Sequence, residues 1–405
     1  MTTEIEETRI DATDLRVGMF VCRLDRPWES TPFPLQGIEL RTLEDVRKLR
    51  DLCAYVYIDR HREAVDHAHM LKNGDRRPEL RFTRVTHYAD NVSVEDELPN
   101  AQAALSTAAE MVDRIYADVA SGRELSVEHV ERAVRPLVAS VLRSADAFLY
   151  LEGMRRHDGY TYSHAIACSA LAAAFGRHMG LHEDTVFSLA AGGLLMDVGK
   201  TRVPQELLQS SQSLSPEELE VARSHIGHGI EIVRAAGIND PDVMAVLQTH
   251  HERHDGGGYP SSLLGSGIPV PGRMLGIIDS YDAMISSRPY RAPLSRHRAL
   301  QQIYRGRDTL FQQELVEQFQ ACLGVYPTGS LVELSSGEVA VVMMQNKVRR
   351  LRPRVLLLTT PDKQPLRDFQ PFDLLNQANG SNAVEIVRSV AVGEYGIDTA
   401  GLLPE

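Results

Sequence analysis

The chain has 405 residues, 43% of them hydrophobic and 24% charged, with a formal net charge of −12. These proportions allow sizeable cores and exclude wholesale disorder, and at roughly 100–200 residues per domain the length suggests two to four domains. The acidic balance argues against a chain-wide DNA, RNA or anionic-membrane binder, yet leaves room for a small anionic ligand held by a local basic cluster.

MFVCRL (Met19–Leu24) and YVYID (Tyr55–Asp59) have strand composition. Between them Thr42 is placed to cap a helix over Leu43–Leu52, with Glu44 and Asp45 where the helix dipole favours negative charge. The lone Trp28 is expected in a small core, and residues 61–100, with Asn73-Gly74 and an acidic run at Glu95–Glu97, read as a polar connector. Residues 1–100 are thus expected to hold a small α+β domain and its connector. Two linking helices are expected over 101–144, one across Ala101–Val119 and one capped by Ser126 and running beyond Val141.

Helical periodicity continues around Tyr162–Met179, Glu183–Asp197, Pro216–Ala235, Pro241–His251 and Gly272–Ser286, which makes residues 145–327 an all-helical domain. Ser215-Pro216-Glu217-Glu218 combines an N-cap serine, a proline at the first helical position and a glutamate two further on, and Asp240-Pro241 repeats the logic. Residues 328–405 form a short β-rich extension, with Ser336-Gly337 as a turn and a weakly patterned tail after Asn376. The fold class expected is therefore mainly α, flanked by a small α+β domain and a β-rich appendage. KVRRLRPR (Lys347–Arg354) reads either as a solvated strand face or as a phosphate-binding patch.

Cys22, Cys53, Cys168 and Cys322 are scattered, with no Cys-x-x-Cys pair, which suits free thiols in a reducing compartment. The acidic N-terminus has no secretory character, and no apolar stretch reaches the ~18 residues of a spanning helix. A cytoplasmic protein without a membrane span is expected.

Histidine and aspartate concentrate in five segments: YTYSHAIACS, LLMDVGKTRVP, ARSHIGHG, LQTHHERHDGGGYP and IIDSYDAMISSRPYR. His164, Asp197, His225, His250, His251 and Asp279 form a mixed imidazole–carboxylate set, which suits Fe, Mn, Ni or Zn rather than Ca or Mg. An aspartate can bridge two cations in a site that activates water against a phosphodiester. Each histidine also has a plainer reading: a lone histidine such as His164, on an apolar helix face with Ala165, Ala167, Cys168 and Leu171, is more often a satisfied core residue than a ligand.

HHERHDGGGYP (His250–Pro260), DVGK (Asp197–Lys200), DSYDAM (Asp279–Met284) and RPYR (Arg288–Arg291) together resemble the HD-GYP family of cyclic di-GMP phosphodiesterases, over roughly residues 145–327. The first ~130 residues, through DLRVGMFVCRLDRPW, are similar to a domain of unknown function often joined to that family. The resemblance implies that His164, Asp197, His225, His250, His251 and Asp279 are metal ligands, with Asp197 bridging. Lys200 would orient or stabilise a phosphate oxygen, and Asp282 would orient a ligand or the attacking water. Tyr259 and Gly258 would contact the substrate, while Arg288 and Arg291 would clamp phosphate. The implied cofactor is at most two divalent ions, Fe or Mn with Ni or Zn as alternatives. The implied reaction is hydrolysis of cyclic di-GMP to pGpG, possible continuation to GMP included. It leaves room for a diguanylate cyclase or another signalling partner, and for a homodimer. His254-Asp255 falls at the family's Trp-Asp position, His228 matches no ligand position, and His61, His67 and His69 belong to the connector.

Two departures matter. The name-giving histidine is Met196, whose thioether is a poor substitute for imidazole on Fe(II) or Mn(II), and Tyr160 stands where some members carry a glutamate for a third metal. Slowed hydrolysis is expected; the alternatives are a degenerate module that binds cyclic di-GMP or a protein, and a phosphohydrolase with another substrate.

Overall fold

The computed structural model describes residues 7–25, 38–40, 42–59, 86–154, 160–210, 212–286, 293–346, 349–377, 383–391 and 393–397. Trp28, Asn73-Gly74, His61, His67, His69, Arg288 and Arg291 lie outside these residues. The chain divides into two compact units, residues 1–81 with 347–351, and residues 82–346 with 352–405.

In the first unit β1 (Glu7–Asp11), β2 (Phe20–Leu24), β3 (Ile38–Glu39) and β4 (Tyr55–Asp59) form an antiparallel sheet in the order β1-β4-β2-β3. The helix α1 (Leu43–Leu52) starts where Thr42 predicts. The Thr42 hydroxyl accepts from the Asp45 N–H at 3.1 Å and the Asp45 carboxylate accepts from the Thr42 N–H at 2.9 Å, a reciprocal capping box. Val46 and Leu49 of this helix join Val21, Leu24, Val56 and Ile58 of the sheet in one core.

The second unit opens with α2 (Val94–Ala120) and α3 (Val127–Arg143). The acidic run expected in the connector is instead the first turn of α2. Ser93 caps it, Glu95, Asp96 and Glu97 lie at the positive end of the dipole, and Glu97 is fully buried with both oxygens on Arg143 at 2.6 and 2.9 Å. Helices α4 (Ala145–Met154), α5 (Tyr160–His178) and α6 (Glu183–Leu195) follow, then a 3-10 turn (Val198–Arg202) and the short α7 (Gln205–Leu208). The helix expected over Pro216–Ala235 is two, α8 (Pro216–Arg223) and α9 (His225–Ala235), parted at Ser224. The predicted capping box at Ser215 and Glu218 is present. Helices α10 (Pro241–Thr249), α11 (Val270–Ile285), α12 (Arg296–Arg305) and α13 (Gln313–Leu323) complete the helical part.

After it β5 (Leu331–Leu334), β6 (Val339–Met344), β7 (Arg354–Thr359), β8 (Pro365–Asp373) and β9 (Ile386–Ser389) make an antiparallel sheet in the order β8-β7-β6-β5-β9. The weakly patterned tail thus supplies an edge strand, none of whose four residues is fully buried, so little apolar signal marks it in the sequence. Of the basic run, Arg352 and Arg354 pair with Glu385 at 3.8 Å and Glu95 at 2.7 Å. Among the described residues no helix is long and apolar enough to cross a membrane.

Candidate metal centre

The polar residues of interest converge from separate helices because small residues let those helices close on one another. Asp197 follows α6, and Gly199 in the next turn lies so near the start of α9 that an added Cβ would fall on the His225 carbonyl oxygen and the Gly229 nitrogen. That contact sets Asp197 beside His225. His250 and His251 sit at the C-terminal end of α10, while α5 contributes His164 and α11 contributes Asp279 and Asp282.

Asp197 lies at the middle. Its Oδ1 faces His225 Nε2 at 3.7 Å and His250 Nε2 at 3.9 Å, and its Oδ2 lies 3.6 Å from His164 Nε2. Lys200 Nζ donates to the same Oδ2 at 2.6 Å. Asp279 Oδ1 is 3.2 Å from His164 Nε2, and its Oδ2 is 3.6 Å from His251 Nδ1. His225 Nδ1 lies 2.8 Å from the Ala222 carbonyl and His250 Nδ1 lies 3.0 Å from the Val246 carbonyl. A carbonyl can only accept, so each Nδ1 carries the proton and each Nε2 presents a lone pair.

Those lone pairs have no donor to meet. Asp197 Oδ1, His225 Nε2 and His250 Nε2 are buried without a hydrogen-bond partner and face one another. Three buried acceptors converging on one point are costly unless a cation lies between them. The donor set of Asp197, His225, His250 and His251, with ligand atoms within 4.8 Å of one another, fits a divalent transition ion.

Electrostatics keep most of the set ready for a cation. Burial pushes His225 down to about 4 and also lowers His250 and His251, so these rings are neutral near pH 7. Burial works against the Asp197 charge too, but Lys200 and then the surrounding imidazoles hold the carboxyl well below its ordinary value. His164 behaves oppositely. Burial opposes its charge, yet contacts with Cys168 and then with Asp279 and Asp282 raise it well above the ordinary histidine value. The neighbouring Cys168 thiol, pushed up to about 12 by burial, stays protonated and adds no charge of its own.

The signs give a testable pH dependence. With its folded value lowered, His225 contributes stability that is present above about pH 6.5 and lost as pH falls towards about 4. The shift amounts to roughly 3 kcal/mol for this one group. The raised His164 contributes stability that is full below about 6.5 and is lost as pH rises through its folded value. Chelator-treated protein is therefore expected to melt highest near pH 6.5 and to lose stability on both sides. Melting temperatures flat from pH 4.5 to 6.5 would contradict the assignment.

All six expected ligand residues thus gather at one site with Lys200. Asp282 joins them indirectly: its Oδ2 lies 2.6 Å from His164 Nδ1 and accepts from the Ser286 hydroxyl at 3.1 Å, so it orients His164. Tyr259 stacks on the His251 ring, with centroids 4.7 Å apart, and the Arg223 guanidinium lies over the Tyr259 ring at 4.7 Å. Gly258 admits no side chain, because a Cβ there would strike the backbone of Glu252 and Arg253. His228 stays half-buried near Glu231, and the N–H of His254 donates to the Leu310 carbonyl at 3.0 Å. Met196 is buried, 1% exposed, at the end of α6. The side chain of Tyr160 lies outside the described residues.

Two residues at the site were given no functional role by the sequence reading. Glu252 is buried and accepts from the Ser261 and Leu263 N–H groups at 2.8 and 3.0 Å, tying down the loop that carries Tyr259. A carboxylate between two histidines and a glycine-rich turn was the available signal. Cys168 is buried one helical turn after His164, a spacing that places both on one face.

Residues 137–315 match the HD domain family, and residues 7–130 match a domain of unknown function, DUF3391. The chain is 32% identical to the cyclic di-GMP phosphodiesterase PA4108 of Pseudomonas aeruginosa over 360 residues, covering 86% of this chain and 84% of that protein. It is 33% identical over 165 residues to a cyclic di-GMP phosphodiesterase of Thermotoga maritima, covering 40% of this chain and 44% of the relative. Over 154 residues it is 30% identical to the 3′3′-cGAMP-specific phosphodiesterase 2 of Vibrio cholerae, covering 38% of this chain and 29% of that protein. The chain belongs to the HD-domain family, in its HD-GYP branch.

Proposed function

We propose that this protein hydrolyses a cyclic dinucleotide, cyclic di-GMP before others, opening it to the linear pGpG. The observation that carries the reading is the convergence of the unpartnered Asp197 Oδ1, His225 Nε2 and His250 Nε2 beside Lys200. The relative matched over 84% of its length is named for cyclic di-GMP, and a shorter match is named for cGAMP, so the guanine preference is the finer part of the proposal.

His164, Asp197, His225, His250, His251 and Asp279 would hold at most two divalent ions, Fe or Mn first. Bound ions would supply an activated water and neutralise charge on the phosphodiester. The chain's own residues do the rest. Asp197 lies between the two halves of the site, and Asp282 fixes the ring of His164. Lys200, one-quarter exposed, stands where an ammonium can stabilise charge developing on a phosphate oxygen. Tyr259, in the loop that Glu252 ties down and stacked on His251, forms a wall against which the substrate rests. Arg288 and Arg291 are assigned the outer phosphates. We place this chemistry within residues 145–327, with residues 1–100 as the input domain and 328–405 as an appendage.

The buried Met196 favours a second reading, in which the centre binds cyclic di-GMP without turning it over. Protein loaded with Mn(II) or Fe(II), assayed for metal per chain and for cyclic di-GMP and cGAMP by chromatography, separates the two. Turnover to pGpG is expected; tight binding with none would leave only the binding module. Met196→His should raise affinity for the second ion by at least ~10-fold and increase the rate. A variant indistinguishable from the parent would show that the missing imidazole limits neither.

A further inference from the structure

We propose that the thiol of Cys168 serves as a ligand to the second cation, in the place left by the missing imidazole at position 196; this rests on the metal-centre reading above. The Cys168 Sγ lies 3.7 and 3.8 Å from the two ring nitrogens of His164. His164, Cys168 and Asp282 are all buried, and their ligand atoms lie within 4.8 Å of one another. Gly193 of α6 lies against the Cys168 backbone, an added Cβ there meeting the Cys168 carbonyl oxygen at 2.9 Å. The turn that delivers Met196 and Asp197 therefore packs directly on the turn that carries the thiol.

The chemistry is complementary. The position has lost a borderline nitrogen donor, and a soft sulfur donor stands on the adjoining helix face. A cation deprotonates a coordinating thiol outright, the S–H proton leaving to solvent as the metal–sulfur bond forms. The substitution predicts a centre shifted towards thiophilic ions, Zn and Co above Mn, relative to one built from imidazole and carboxylate alone.

Cobalt(II) is the probe, because thiolate ligation adds strong near-ultraviolet charge-transfer absorption that imidazole and carboxylate do not. Full-length protein titrated with cobalt is expected to show this absorption with the second equivalent. In Cys168→Ser it should vanish while the visible cobalt bands of the first equivalent persist, and affinity for the second ion should fall ~10–100-fold. In a Met196→His background, removing Cys168 should cost under ~3-fold, because the two donors compete for one position. Visible bands without charge-transfer absorption in the parent would overturn the proposal and leave the metal centre standing. A loss as large in the Met196→His background as in the parent would likewise overturn it, since the thiol would then act through packing. Failure to take up any cobalt would instead sink the metal-centre reading itself, and the proposal with it.

Discussion

Asp197→Asn is expected to strip the centre of cations and to lower cyclic-dinucleotide hydrolysis by at least ~10³-fold. Removing an outer partner of a metal ligand already costs ~10–100-fold, and Asp197 touches both halves of the site. It faces His225 and His250 through one oxygen and His164 and Lys200 through the other. Asparagine keeps the volume at a site that is 3% exposed, so packing is preserved while the charge and one acceptor are lost. Metal per chain and turnover should fall together, with an unchanged circular dichroism spectrum. A variant that kept two ions per chain would show that Asp197 is not the shared ligand.

Gly199→Ala is the second large effect, and it acts on the scaffold rather than on the donors. The added methyl would overlap the His225 carbonyl and the Gly229 nitrogen, both backbone atoms that cannot swing aside. Overpacking costs ~1–3 kcal/mol when side chains can yield and more when they cannot, so a loss of at least ~3 kcal/mol is expected. At ~2–4 °C per kcal/mol in a domain of this size, melting should fall by ~6–12 °C. The displaced start of α9 should also cost metal, because it carries His225 away from Asp197. Unchanged melting and metal content would mean that the close approach does not hold the two ligands together.

The parts of the fold that could be read from sequence are those with local causes. Thr42, Ser126, Ser215 and Asp240 start their helices through their own side chains, so caps and starts were legible. The break at Ser224 was not, because no proline or glycine marks it; it is imposed by the need to bring His225 round to Asp197. The start of α2 was hidden by its acidic first turn, whose buried Glu97 is paired with Arg143 from a distant part of the chain. At the centre the residue types and their order were legible from motifs. Their pairing was not: that Asp282 serves His164 depends on helix packing, and that Glu252 ties the loop depends on how the glycine-rich turn folds back.

His164, Asp197 and Asp279 stand far apart along the chain, on or beside three different helices, yet their side chains meet. An ion held by all three would act as a reversible cross-link, closing long loops much as a disulfide does and removing conformations from the unfolded ensemble. An ion present at a thousand times its dissociation constant adds ~4 kcal/mol by mass action alone. The same ion that supports chemistry would thus also act as a staple, making the durability of the helical bundle a function of cellular metal supply.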